Sequence, residues 1–262
     1  MNAQARLESV AHLVVPLAGF AVLWQVGAMV IGNASVLPDP VHTVSLTIDS
    51  MTSPGPRGFT SLHHLRITLG RVVVASTIGL VLSVIGGTLM WRFDAVEDVL
   101  SDWLPFVMTF PTVVVILVTM ILFRFSEMSI LSAVLVASVP FGIVNLWEGM
   151  KDIDTELLEM AFAFDASTLQ IWRHVYIPHL MPFVFGSYRY ILGMVWKIVA
   201  LAEIFGFSVG MGAMFRFWYS QGQVDTLLAY FLLFIAVMLT VEYGLLKPLQ
   251  TRIFRWRVDH AS

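Results

Sequence analysis

Charged side chains that interrupt long apolar stretches are the first candidates for chemistry. Lys197 and Glu203 lie in one such stretch, with Arg189 upstream and Glu242 near the end of the next. A charge at bilayer depth costs roughly 2.5–3.5 kcal/mol on insertion scales, so it faces protein or water. Two readings are open for Lys197. It holds an anionic solute in a pathway, with Glu203, Met108 and Asn145 beside it, or it joins helices by pairing with Glu203, Glu242 or backbone carbonyls. Residues 197 and 203 do not share a helical face, so a direct pair needs irregular backbone or a partner from another segment. Arg189 can reach the interface by snorkelling.

The residue sets of catalysis are not assembled. His63 and His64 are adjacent, point to different sides of any helix, and make a poor metal pair. No Ser/His/Asp or paired-carboxylate arrangement can be placed, because the acids cluster in connecting segments. Cysteine is absent, which removes disulfides, thiolate metal sites and cysteine nucleophiles. A P-loop needs a Gly-rich turn ending in Lys-Ser or Lys-Thr, whereas Lys151, Lys197 and Lys247 are followed by Asp, Ile and Pro. The sequence therefore predicts no enzyme, no metal and no cofactor bound by this chain.

The elements that position these residues follow from composition. The 262 residues are 58% hydrophobic and 13% charged, about half the charged fraction of a soluble domain. A formal charge of −3 argues against a nucleic-acid partner. The apolar residues arrive in blocks of about 20, the length that crosses a bilayer. Blocks at 13–31, 72–91, 103–123, 128–147, 180–205 and 226–246 predict an all-α polytopic membrane protein, a single transmembrane domain with about six spans. The first block reads as an uncleaved anchor: Glu8 offsets Arg6, and the run exceeds a signal core. Segment 33–65 reads as a loop with turns around Leu37-Pro38-Asp39-Pro40 and Ser53-Pro54-Gly55-Pro56. Segment 206–213 reads as a loop or a re-entrant piece.

Lysine and arginine near span ends set orientation. Arg6, Arg92, Lys151, Arg173, Lys247, Arg252, Arg255 and Arg257 outnumber Arg57, Arg66, Arg71, Arg124 and Arg216 on the other side. This places both termini and the polar insertion 148–179 in the cytoplasm. Within that insertion, acids at Asp152 and Asp154 open one short helix that Asp165 ends. Ser167 and Gln170 form a capping box for a second, which Pro178 and Pro182 close before the next span. Leu157, Met160, Ala161 and Phe164 share one helical face. That apolar face either folds back on the protein's own spans or docks into a groove of another protein.

Glu159-Met160-Ala161, three residues, Asp165, nine residues, Val175-Tyr176-Ile177-Pro178 resembles the EAA loop of permease subunits of ATP-binding cassette importers. That pattern reads Glu-Ala-Ala, three residues, Gly, nine residues, Ile-x-Leu-Pro. Met160, Val175, Ile177 and Asp165 depart from it. A glycine just past a helix usually takes a left-handed conformation that costs most residues roughly 1–2 kcal/mol. Aspartate is among the few others that tolerate it, so the turn is expected to survive. The resemblance runs along nearly the whole chain. His64-Leu65, Thr68-Leu69 and Arg71-Val72 resemble the family's "HLxxTLxRV" stretch, and Trp196-Lys197 to Ala202-Glu203 its "WKxxxxAE" stretch. The nearest branch handles nitrate, sulfonates, taurine and similar small solutes.

The resemblance implies a homodimer of permeases in a prokaryotic inner membrane, two cytoplasmic ATP-binding subunits that hold ATP and Mg, and an extracytoplasmic solute-binding protein. It makes the 155–164 segment a coupling helix between spans four and five that rests on the ATPase. Glu159, Ala161 and Asp165 belong to that contact, with Met160 and Phe164 as apolar anchors and Ile177-Pro178 closing the motif. The rival of another class is a stand-alone ion-coupled carrier or channel, for which Lys197 with Glu203 is the candidate ion site.

Overall fold

The structure is a computed structural model that describes residues 3–253, apart from the side chains of residues 3–14, Leu17 and Arg57. Of the cations used for orientation, Arg255 and Arg257 lie outside the described residues, as do the side chains of Arg6 and Arg57. Among the described residues every regular element is helical. Helix α1 (Ala3–Ile31) is followed by α2 (Pro40–Thr52). The long helices α3 (Ser61–Arg92) and α6 (Glu127–Lys151) flank α4 (Asp94–Met108) and α5 (Thr112–Leu122).

Segment 33–65 is not merely turns. Asp39 caps α2 by accepting from the His42 N–H at 2.9 Å, and Pro40 occupies the first turn. Proline fits there because the missing N–H would have no partner within the helix. The pair that reads as a turn signal is here a helix start. Helix α2 then lies on the last span, where the Thr47 hydroxyl donates to the Ala229 carbonyl at 3.1 Å.

The third apolar block is two helices, not one. Helices α4 and α5 meet at 100° across Thr109-Phe110-Pro111. Proline pushes its preceding residue toward extended geometry, so Phe110 cannot carry α4 forward. The helices α3 and α6 pack closely through small residues. A Cβ on Gly142 would overlap Ser83, and one on Gly87 would crowd Leu146 and the α6 backbone. Such contacts let two helix backbones approach within a bilayer.

The insertion folds as α7 (Thr155–Ala163) and α8 (Thr168–Ile171), but α8 does not close before the next span. It continues through a π-helical turn over Trp172–Tyr176 into α9 (Ile177–Gly206). There the Ile177 N–H donates to the Trp172 carbonyl, five residues back. A widened turn accommodates Pro178, which has no N–H to give. The chain breaks after Gly206, turns by 49°, and forms α10 (Met211–Ser220). Helix α11 (Val224–Leu239) runs through a second π-helical turn, Thr240–Leu246, into α12 (Lys247–Ile253).

Three described helices are long and apolar enough to cross a membrane, rising to five if each bent pair counts as one span. The core gathers around α9. Its Ile191, Val195, Trp196, Ile198, Val199 and Ala202 are buried against Val72, Ile116, Ala133, Met211 and Phe234 from the helices around it.

Candidate functional site

The cytoplasmic loop of the sequence reading is built from local signals. Asp154 caps α7 by accepting from the Glu156 N–H at 2.8 Å. At the other end Asp165 takes φ +50°, the left-handed conformation expected of the family's glycine position. The Ala166 N–H donates to the Ala161 carbonyl and the Asp165 N–H to the Phe162 carbonyl, both at 3.0 Å. This six-to-one and five-to-two pair is a Schellman turn with aspartate in place of glycine. The capping box follows directly: the Ser167 N–H donates to Gln170 Oε1 at 2.8 Å, and the Gln170 N–H to Ser167 Oγ at 3.4 Å.

The loop is held by its rear. Ile153 and Ile171 are buried, the Tyr176 ring packs edge-on to Trp91, and the His179 ring lies 3.1 Å from the Gly149 carbonyl. Its front is bare. No residue of α7 is buried, and Met160 is 54% exposed, Phe164 81% and Leu169 78%. The apolar face of α7 is therefore not folded back on the protein's own spans. Glu159 is exposed beside it, Ala161 is half-buried, Ile177 is exposed and Pro178 half-buried.

The intramembrane charges separate into two environments. Lys197 is exposed on a stripe of α9 that also carries Gly186, Tyr190 and Gly193, at helical three- and four-residue spacing. A Cβ on Gly193 would meet nothing, so this stripe is open. Asn145 donates from α6 to the Phe183 carbonyl at 3.1 Å and to Ser187 Oγ at 2.7 Å, tying α6 to α9 beside that stripe. Met108 is half-buried at the end of α4, next to the bend. Arg189 pairs with Glu242 and donates to Gln250 Oε1 at 3.3 Å, so Glu242 is not a partner of Lys197.

Glu203 is on a different face of α9, about 120° around the helix from Lys197, and is fully buried. The structure does not bring it to Lys197, so the ion site that a stand-alone carrier would need is not assembled. Its carboxylate accepts from Arg71 Nη1 at 2.7 Å, the Thr68 hydroxyl at 2.9 Å and the Gly212 N–H at 2.9 Å. The Thr68 oxygen in turn accepts from the Met211 N–H at 2.9 Å, and His64 Nδ1 from the Gly210 N–H at 3.2 Å. Arg71 also donates to the Val209 carbonyl at 3.0 Å and lies 4.7 Å over the Phe207 ring. Its outer edge donates through Nε to Glu127 at 2.8 Å.

The physical purpose of this cluster is the start of α10. The first N–H groups of a helix have no partner within it, and Gly210 at the cap position has no side chain to offer. Glu203, Thr68 and His64 do the capping from other helices, and the carboxylate also suits the positive helix end. Gly210 is required there: its φ is +115°, and a Cβ would run into the Glu203 carboxylate. His64, Thr68 and Arg71 recur at helical spacing on one face of α3. That spacing was visible in the sequence; their destination, over 130 residues away, was not.

The family described as "Binding-protein-dependent transport system inner membrane component" matches residues 77–253. A Bacillus subtilis (strain 168) protein whose name assigns it to aliphatic sulfonate transport as a permease is 28% identical over 90% of this chain and 83% of its own. The taurine transport system permease protein of Escherichia coli (strain K12) is 24% identical over 90% of this chain and 85% of its own. The formylaminopyrimidine transport permease protein of Halalkalibacterium halodurans is 25% identical, covering 90% of this chain and 92% of its own. In fold, the chain is similar to one from the inward-facing MetNI methionine ABC transporter, with TM-score 0.63 and 16% identity over 73% of this chain and 95% of that one.

Proposed function

Because the chain belongs to the family of inner membrane components of binding-protein-dependent transport systems, we propose that it works as a homodimeric permease driven by two cytoplasmic ATP-binding subunits. ATP and Mg reside on those subunits. An extracytoplasmic binding protein delivers the solute, and both termini of this chain are cytoplasmic. The observation that carries this reading is the bare face of α7, which ends in a left-handed turn at the family's glycine position.

Met160 and Phe164 are the apolar anchors of the ATPase contact, and Glu159 and Asp165 frame them. Burying one such side chain contributes about 1.5–3 kcal/mol, so two anchors give the contact a useful share of its affinity. Helix α8 continues into α9 without a break, so a displacement of the loop is passed along a single helix to Lys197. Closure of the ATPase pair draws the two loops together, and the pathway then opens to the other side.

The solute is a small anion. Taurine and aliphatic sulfonates, named for the relatives, carry a sulfonate group, and Lys197 supplies a cation on the open stripe of α9. Replacing Glu159 with lysine tests the coupling. The side chain is exposed, so Glu159→Lys should insert normally yet abolish uptake and ATPase association. Normal uptake by this variant would overturn the reading.

A further inference from the structure

Arg66 is exposed on α3 and makes no salt bridge among the described residues. One turn further along is Gly70, where two adjoining cavities meet. One, of about 370 Å³, is walled by Val74, Ala75, Ile130 and Leu131 and is almost wholly apolar. The other, of about 390 Å³, is walled by His63 and Arg66. Gly70, Arg71 and Glu127 belong to both, so the two form one groove with an apolar trough and a charged mouth.

Helix length places the mouth at the edge of the bilayer. The 32 residues of α3 extend about 48 Å at 1.5 Å per residue, against a hydrocarbon layer of about 30 Å. About 12 residues exceed that layer, and because α6 starts level with Arg71 most of them lie at the Ser61 end, which leaves Arg66 and Arg71 at headgroup level and Val74 within the acyl region. Helix α6 starts at Glu127, at the same level as Arg71. Both Glu127 oxygens accept from Arg71, one from Nε and one from Nη2, yet the side chain is 67% exposed and keeps lone pairs facing outward.

Gly70 gives the groove its shape. Unlike Gly87, it does not admit a neighbouring helix, since a Cβ there would meet nothing within 4 Å. A glycine within a helix costs about 1 kcal/mol relative to alanine, and what this one provides is the opening between mouth and trough. The charges at the mouth are mixed, with a free guanidinium and an outward carboxylate. A zwitterionic headgroup matches that pair, whereas a purely anionic one would face Glu127.

We infer that this groove is a binding site for an amine-bearing phospholipid. The phosphate sits against Arg66, the ammonium donates to Glu127, and one acyl chain follows the trough between α3 and α6. The inference requires only that these helices span a bilayer, so it stands or falls separately from the importer reading.

The test is native mass spectrometry of the full chain, stripped of lipid in mild detergent and titrated with phosphatidylethanolamine, phosphatidylglycerol, phosphatidylcholine or inorganic phosphate. Phosphatidylethanolamine should be retained in preference to the others. Gly70→Leu should lower that retention at least tenfold by filling the trough, without lowering the unfolding temperature in lipid-free detergent. Glu127→Gln should erase the preference for ethanolamine over glycerol. Unchanged retention in Gly70→Leu, or no headgroup preference in the unaltered chain, would overturn the inference. So would inorganic phosphate binding as well as the lipid, which would mark a free-anion site. Loss of a dimer in Gly70→Leu would assign the groove to a second copy of the chain and overturn it too.

Discussion

Replacing Arg71 with methionine removes the cation from the buried cluster at the start of α10 while keeping most of the side-chain volume. In the intact protein Glu203 is fully buried and its charge is matched by Arg71 at 2.7 Å. Breaking a buried pair by removing one partner costs about 3–5 kcal/mol, because the remaining charge is left uncompensated. The Thr68 and Gly212 bonds to the carboxylate persist, so the loss should sit toward the lower end. For a chain of this size each kcal/mol moves the unfolding midpoint by about 2–4 °C, which predicts a drop on the order of 10 °C in purified protein. Glu203→Gln should also destabilise, but the double replacement Arg71→Met with Glu203→Gln should recover about 0.5–3 kcal/mol relative to the sum of the single effects. Thermal unfolding of the four proteins in one detergent measures the cycle. Additive effects, or an Arg71→Met variant within 2 °C or so of the original, would refute the buried pairing of Arg71 with Glu203.

The exposed loop should respond differently. Asp165→Gly relieves the left-handed turn and should keep ATPase association intact, whereas Asp165→Val should cost about 1–2 kcal/mol in the turn and weaken co-purification. Met160→Ala with Phe164→Ala should lose the ATPase with no fall in the unfolding temperature of the isolated chain, since neither side chain is buried there. Lys197→Met should raise the solute concentration needed for half-maximal uptake and leave the unfolding temperature within about 2 °C, because an exposed stripe carries little packing.

The helical architecture was legible because a bilayer demands about 20 apolar residues per crossing and the sequence supplies them in blocks. The turn at Asp165 was legible for a similar reason: its position in the motif fixes the conformation, and only a few residue types accept it. The break between α4 and α5 was not. Pro105 lies within α4 whereas Pro111 marks a 100° bend, and spacing alone does not separate the two outcomes. Pro40 misled in the opposite sense, since a proline after aspartate serves a turn and a helix start equally well. The pairing of Glu203 was hidden for a deeper reason. Its partners arrive from α3 through tertiary packing, and the only trace in sequence is the shared face of His64, Thr68 and Arg71. Lys197, by contrast, sits where its periodicity put it, on the side of α9 away from Glu203.

In the proposed importer this chain is moved by a separate ATPase seated on α7. The most direct measurement is the stoichiometry of the complex that co-purifies in mild detergent when the tagged chain is expressed with its native neighbouring genes. One nucleotide-binding subunit per permease chain is expected, lost in Glu159→Lys while the variant remains in the membrane. A chain that retains transport activity with no ATPase bound would contradict it.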